Sequence, residues 1–216
     1  MNRIVLHILS LGFSVMLGGL LLFPNAARTR PVRLLIKFFF GRLLAPHYDK
    51  VIAAYGGAYG LALSRGLEAA RQCAQRSIIT IVDCGTGTGF VTQTAAKQFP
   101  HARIVSVDAV PAMLLQARTG FRQARIAATA VCGDISDLPL TSGCADLVIA
   151  QNTIPFLAEF ARICAPGGVV LFVDSSARLV SGVAARAAAK TGAFSKIHTG
   201  TAETGFYLCA ERNAII

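Results

Sequence analysis

The chain has 216 residues, 54% of them hydrophobic and 15% charged, with a formal net charge of +10. Six cysteines without a Cys-x-x-Cys pair and four scattered histidines argue against a zinc site or a disulfide framework, and no metal is expected. The positive charge could suggest nucleic acid, but the basic residues gather beside an apolar run rather than among surface aromatics, so no nucleic-acid partner is expected.

From Ile4 to Phe23 no side chain is charged, and a helix of that length crosses the ~30 Å hydrocarbon layer. Residues 1–27 are therefore expected to form a transmembrane anchor. A cleaved signal peptide would need a small-residue site, which Pro24-Asn-Ala-Ala27 supplies only in part. Arg28, Arg30, Arg33, Lys37, Arg42 and Lys50 follow the run, and Arg3 precedes it. The positive-inside bias then places the body of the protein on the cytoplasmic side of a single-pass membrane protein.

Residues 28–76 are expected to form basic juxtamembrane and lid helices. In Pro31–Leu44, Val32, Leu35, Ile36, Phe39 and Leu43 fall on one helical face, with Arg33 and Lys37 on another. Such a basic, aromatic-rich amphipathic stretch suits a helix lying in the headgroup layer; a helix packed on the following domain is the alternative.

Ile78-Ile-Thr-Ile-Val-Asp83-Cys-Gly85-Thr-Gly87-Thr-Gly89 reads as a buried parallel strand that ends in an acid and breaks into alternating glycines, with a helix from Phe90 to Phe99 after it. Such glycines let a ligand lie against the backbone, beyond the carboxyl end of a strand where open α/β sheets bind ligands. A pyrophosphate loop wants bare N–H groups, whereas Asp83 suits a cationic or amine-bearing ligand. The Gly-x-Gly-x-x-Gly/Ala spacing of dinucleotide loops is not met, since Phe90 stands at the sixth position from Gly85. Arg103–Asp108 is a second strand ending in an acid, placed where a carboxylate can accept from both hydroxyls of a ribose. Ala128–Asp134 is a third, Ala145–Ala150 a fourth with Gln151-Asn152 at its tip. Glu159 to Asp174 reads as a helix, a Pro-Gly-Gly turn and a fifth strand. Phe194–His198 and Gly205–Glu211 close the sheet as an antiparallel pair. Cys132, Cys164 and Cys209 fall in core-facing segments.

Asp-x-Gly-x-Gly-x-Gly, the ordered strand-end acids, the Met113-Leu114 pair and Pro166-Gly-Gly168 together resemble the class I S-adenosylmethionine-dependent methyltransferases. The ubiquinone/menaquinone C-methyltransferase-like group and the phospholipid N-methyltransferases are the nearest by motif. The resemblance covers residues 77–212. It implies an α/β, Rossmann-like, seven-stranded and mostly parallel sheet with an antiparallel last strand, and S-adenosylmethionine as cofactor. Carried onto this sequence, Asp83, Gly85, Thr86, Gly87 and Gly89 form the cofactor loop and Asp108 holds the ribose. Ala109 and Met113 line the adenine slot, Asp134 accepts from the adenine amine, the Ile135 N–H meets a ring nitrogen, and Gln151 lies over the cofactor. The Leu-His-His-Leu-like stretch of related enzymes is replaced by Asn152-Thr-Ile-Pro-Phe-Leu157, which puts imidazole-assisted proton removal in doubt.

Methyl transfer from a sulfonium is an in-line displacement on an activated donor, so positioning supplies most of the acceleration. The candidate catalytic residues are Asn152 and Tyr48, the latter within His47-Tyr48-Asp49, which matches the lid of quinone-type relatives. The expected reaction is methyl transfer to a lipophilic acceptor, a quinone precursor or an amine-bearing phospholipid, at a membrane surface. The alternative is a noncatalytic cofactor-binding protein that serves in membrane assembly or regulation.

Overall fold

The computed structural model describes residues 29–38, 58–175 and 178–214, together with Gly19 and Ala26. Apart from Gly19, the Ile4–Phe23 run lies outside the described residues, as does the His47-Tyr48-Asp49 segment. Among the described residues no helix is long and apolar enough to cross a membrane. The basic stretch after residue 27 supplies helix α1 (Arg30–Phe38), whose Leu34 and Phe38 are 60% and 56% exposed.

Helix α2 (Ala58–Cys73) leads into β1 (Thr80–Cys84), α3 (Phe90–Gln98), β2 (Arg103–Asp108), α4 (Pro111–Gln123), β3 (Ala128–Cys132) and β4 (Ala145–Gln151). Then come α5 (Leu157–Ile163), β5 (Cys164–Asp174), α6 (Ser181–Lys190), β6 (Phe194–Ala202) and β7 (Gly205–Arg212). The sheet has seven strands in the order β3-β2-β1-β4-β5-β7-β6. The first five pair in parallel, and β7 is antiparallel to both β5 and β6. This is the Rossmann-like architecture that the strand-end acids imply.

The strands are apolar on both faces because helices cover both. On one face Ile81, Leu147, Ile149 and Leu171 meet Leu63 and Leu67 of α2 and Val91 of α3. On the other, Val82, Val148 and Phe172 meet Phe160 and Ile163 of α5 and Ala184 of α6. Helix α2, which the sequence grouped with the lid, is thus part of the sheet's core. Its Ala62, Leu63, Leu67 and Ala70 are all fully buried, the spacing of one helical stripe. A Cβ on Gly66 would stand 2.8 Å from Leu171 Cδ1, so glycine there lets the helix lie close against the sheet. Both edge strands have a carbonyl covered by arginine: Arg118 donates to Ala130 O at 2.9 Å on β3, and Arg65 to Thr201 O at 3.1 Å on β6, charges that discourage further strand pairing.

Three local expectations change. β3 ends at Cys132, which is exposed rather than packed, because β3 is an edge strand; Asp134 lies in the turn beyond it, bridged to Asp137. Cys164 and Cys209 are buried as expected. The Pro-Gly-Gly segment is not a free turn but an irregularity in β5, where pairing jumps from Ala145↔Cys164 to Leu147↔Val169. Gly168 is pressed against the main chain there, its absent Cβ 2.7 Å from Asp146 O.

Candidate functional site

The parallel strands β1, β2, β4 and β5 bring Asp83, Asp108, Gln151 and Asp174 to one end of the sheet. Between them runs the glycine loop. Gly85 N and Thr86 N both donate to Val107 O, at 2.8 and 3.0 Å, and Gly87 N donates to Asp108 Oδ2 at 2.8 Å. Gly85, Gly87 and Gly89 all have positive φ, 77°, 55° and 93°, the region glycine alone enters freely. Space matters too: a Cβ at Gly85 would stand 3.0 Å from Thr153 Oγ1, and one at Gly89 2.5 Å from the Phe121 ring. Gly89→Ala is therefore expected to cost roughly 1–3 kcal/mol from overpacking plus backbone strain, read from chemical denaturation.

Asp83 is fully buried. Its Oδ2 accepts from Thr86 Oγ1 and Thr92 Oγ1, both at 2.7 Å, and Thr92 Oγ1 also pairs with Ser106 Oγ at 2.6 Å. Its Oδ1 has no hydrogen-bond partner. Burial pushes its pKa from 3.8 to about 6, against the lowering effect of the two threonines. Asp108 sits at the tip of β2 with its Oδ1 accepting from Val110 N at 2.8 Å. Burial raises its pKa as well, opposed by the N–H groups of Val110, Gly87 and Ala109. The carboxylate thus ties the glycine loop to the start of α4. Each oxygen keeps a second lone pair for a ligand hydroxyl.

Gln151 is 4% exposed and its Oε1 also lacks a partner. Asp83 is in register with Ile149, so Asp83 and Gln151, two residues beyond Ile149 on the neighbouring strand, point to the same sheet face. Two buried, unpartnered acceptors on one face call for a ligand with several donors, and an ammonium is the simplest. Above them Tyr59 of α2 packs edge-on to Phe90, ring centroids 5.0 Å apart.

Elsewhere the sequence-predicted residues divide. Ala109 follows Asp108 directly, and Met113 is 2% exposed on the inner side of α4. Asp134 Oδ1 accepts from the N–H and the hydroxyl of Ser136, at 3.0 and 2.7 Å, which fixes the turn carrying Ile135. Ile135 is half-buried against the core. Asn152 has φ 51°, and its amide is bound to Ser175: Oδ1 accepts from Ser175 N at 2.8 Å and Nδ2 reaches Ser175 Oγ at 3.2 Å. That fits a structural clamp rather than a group presented to an acceptor. Tyr48 lies outside the described residues. The sequence reading missed Ser175, Thr92 and Ser106; the first follows the strand-end Asp174 and was findable from that position.

Residues 81–168 match the sequence profile of a family described as a methyltransferase domain. Malonyl-[acyl-carrier protein] O-methyltransferases are similar over part of their length. That of Laribacter hongkongensis is 30% identical over 106 residues, 43% of this chain and 36% of the relative. That of Herminiimonas arsenicoxydans is 36% identical over 98 residues, 43% of this chain and 35% of the relative. The chain thus spans about a third of the length of these curated relatives. In fold it resembles the Haemonchus contortus phosphoethanolamine N-methyltransferase 2, solved with S-adenosyl-L-methionine, with a TM-score of 0.61 and 16% identity over 82% of this chain and 60% of that one. With the strand order, the glycine loop and the carboxylates at the strand tips, these matches show that residues 81–168 form a methyltransferase domain, within the fold of the neighbour solved with S-adenosyl-L-methionine.

Proposed function

We propose that this protein transfers a methyl group from S-adenosylmethionine to a lipophilic acceptor presented at a membrane surface. The cofactor half of the reading is carried by the paired acceptors Asp83 Oδ1 and Gln151 Oε1, which suit the amino group of the methionine moiety, with Asp108 left to the ribose. Bound there, the cofactor would supply an electrophilic methyl group. The protein's own contribution is to fix the glycine loop through Asp108 and Val107, to exclude water with Tyr59 and Phe90, and to hold charge opposite the ammonium. Cys84 ends β1, where burial pushes its thiol pKa up, and Cys132 ends the edge strand β3; methyl transfer requires no protein nucleophile.

The membrane half rests on helix α1, which presents Leu34 and Phe38 one turn apart to solvent, and on the one-sided surface charge. Among the described residues Glu68, Asp137 and Glu203 are the exposed acids, while the other carboxylates are half-buried or buried in hydrogen bonds and ion pairs. Exposed cations such as Arg71, Arg118, Arg122, Arg125 and Lys190 are not balanced by them. A protein of this kind is drawn to an anionic leaflet by about 1 kcal/mol per basic residue near the surface. Protein lacking residues 1–27 should therefore still co-sediment with vesicles containing anionic lipid. Leu34→Glu with Phe38→Glu should release it, and Arg33, Lys37 and Arg42 changed together to Gln should weaken it by about 3 kcal/mol. Unaltered binding in both variants would remove the support for a lipid acceptor.

The relatives' name favours a second acceptor, a carboxyl group on a carrier-bound acyl chain. Both readings are tested by incubating the protein with isotope-labelled methyl donor and either a total lipid extract or a malonyl thioester, followed by mass spectrometry. Label in a lipid supports the first; label only in the thioester replaces it with the second. A protein that binds the donor but labels neither would favour the noncatalytic assembly role.

A further inference from the structure

Ser175 stands just past β5 with a saturated hydroxyl. Its single proton goes to Tyr59 O at 3.1 Å, and its lone pairs take Gln151 Nε2 at 2.9 Å and Asn152 Nδ2 at 3.2 Å. Asn152 has no choice of amide orientation, because the Ser175 N–H must meet an oxygen, found in Asn152 Oδ1 at 2.8 Å. The Asn152 nitrogen is then obliged to face the Ser175 hydroxyl. Gln151 is fixed in turn. Its Nε2 donates to Ser175 Oγ and, at 3.1 Å, to Tyr59 O, and both of those partners are acceptors, so the reverse amide orientation would set Oε1 against a lone pair and a carbonyl. Ser175 is itself held in place by Thr204 Oγ1, which donates to its carbonyl at 2.9 Å.

We propose that Ser175 and Asn152 are positioning residues that lock the Gln151 amide with its oxygen toward the cofactor's amino group, making the site selective for a ligand that carries that amine. This rests on the S-adenosylmethionine reading given above. A freely rotating glutamine would offer NH2 as often as oxygen, and the NH2 face repels an ammonium. Because both Nε2 hydrogens are engaged on the far side, Oε1 is left as a buried acceptor. The unpartnered oxygen of Asp83 lies on the same sheet face, at the register position two residues before Gln151. A site built around buried acceptors discriminates strongly against an analogue lacking the matching donor.

The test is calorimetric binding of S-adenosylhomocysteine and of its deaminated analogue, in which hydrogen replaces the amino group. Wild-type protein should prefer the amino ligand. Ser175→Ala, and Asn152→Gly, which tolerates the positive φ, should each shrink that preference by about tenfold, as expected for a charge-assisted hydrogen bond lost, while the affinity for the deaminated ligand stays within about twofold. Gln151→Glu is the sharper case: simple charge attraction would make it bind the amine tighter, whereas a carboxylate cannot donate to Tyr59 O and should bind it more weakly. Equal losses for both ligands in the Ser175 and Asn152 variants, or tighter binding by Gln151→Glu, overturn the positioning role while leaving the cofactor reading intact. Failure of wild-type protein to bind S-adenosylhomocysteine at all overturns both.

Discussion

Asp108→Ala is expected to reduce affinity for S-adenosylhomocysteine by two orders of magnitude or more. Two charge-assisted hydrogen bonds to the ribose, each worth about 1.5–3 kcal/mol, would be lost. The same carboxylate also receives Gly87 N and Val110 N, both at 2.8 Å, so its removal leaves two N–H groups without their acceptor and loosens the loop that must close on the ligand. Asn is a poor substitute, since its NH2 would confront one of those N–H donors. The fold should tolerate the change better than the site does, because Asp108 is only half-buried and lies at a strand tip outside both apolar clusters. Isothermal calorimetry and thermal unfolding on the same protein check this. A variant that binds as tightly as wild type would show that the ribose is held elsewhere.

The second large effect concerns Asp83 and pH. Its pKa is raised from 3.8 in the free side chain to about 6 in the fold, chiefly by burial. The folded state therefore holds a proton that the unfolded state releases between about pH 4 and 6, and stability falls across that window. Above pH 6 the loss levels off at about 3 kcal/mol, since one pKa unit corresponds to about 1.4 kcal/mol. Asp83→Asn should keep acceptance from Thr86 and Thr92 through its oxygen, and so should raise the stability of the ligand-free protein at pH 8 and flatten its dependence between pH 4 and 6. Ligand binding should respond in the opposite direction. An ammonium favours the ionised carboxylate, so affinity for S-adenosylhomocysteine should rise with pH up to about 6 and then flatten, and Asp83→Asn should lose at least about tenfold in affinity at pH 8. Denaturant titrations and calorimetry across pH measure both. A variant more stable yet unable to bind well would identify Asp83 as a group kept for function at the expense of the fold. A variant that binds normally would remove the amine from this position.

The sheet was legible because its chemistry is local. A β-branched run such as Ile78–Val82 ending in Asp83 and alternating glycines states strand, turn and ligand loop in one segment, since glycine enters the positive φ values found at residues 85, 87 and 89 without strain. The order of Asp83, Asp108 and Pro166-Gly-Gly168 then fixed the family resemblance and placed Asp83 and Asp108 at the strand tips. Helix α2 was misplaced for a physical reason. Its stripe of Ala62, Leu63, Leu67 and Ala70 shows that one face is buried, but not whether a sheet, a lid or a lipid surface covers it; Leu171 and Tyr207 across Gly66 decide that. Edge position likewise exposed Cys132, although its strand pattern matches that of an inner strand. The Ser175–Asn152–Gln151–Tyr59 network could not be read from the chain, because its members lie as far apart as residues 59 and 175 and each is an ordinary polar group. Amide orientation is set only when every neighbouring donor and acceptor is in place. The sequence by itself determined which ligand chemistry the strand tips invite; tertiary packing alone decided which atoms remain free to meet it.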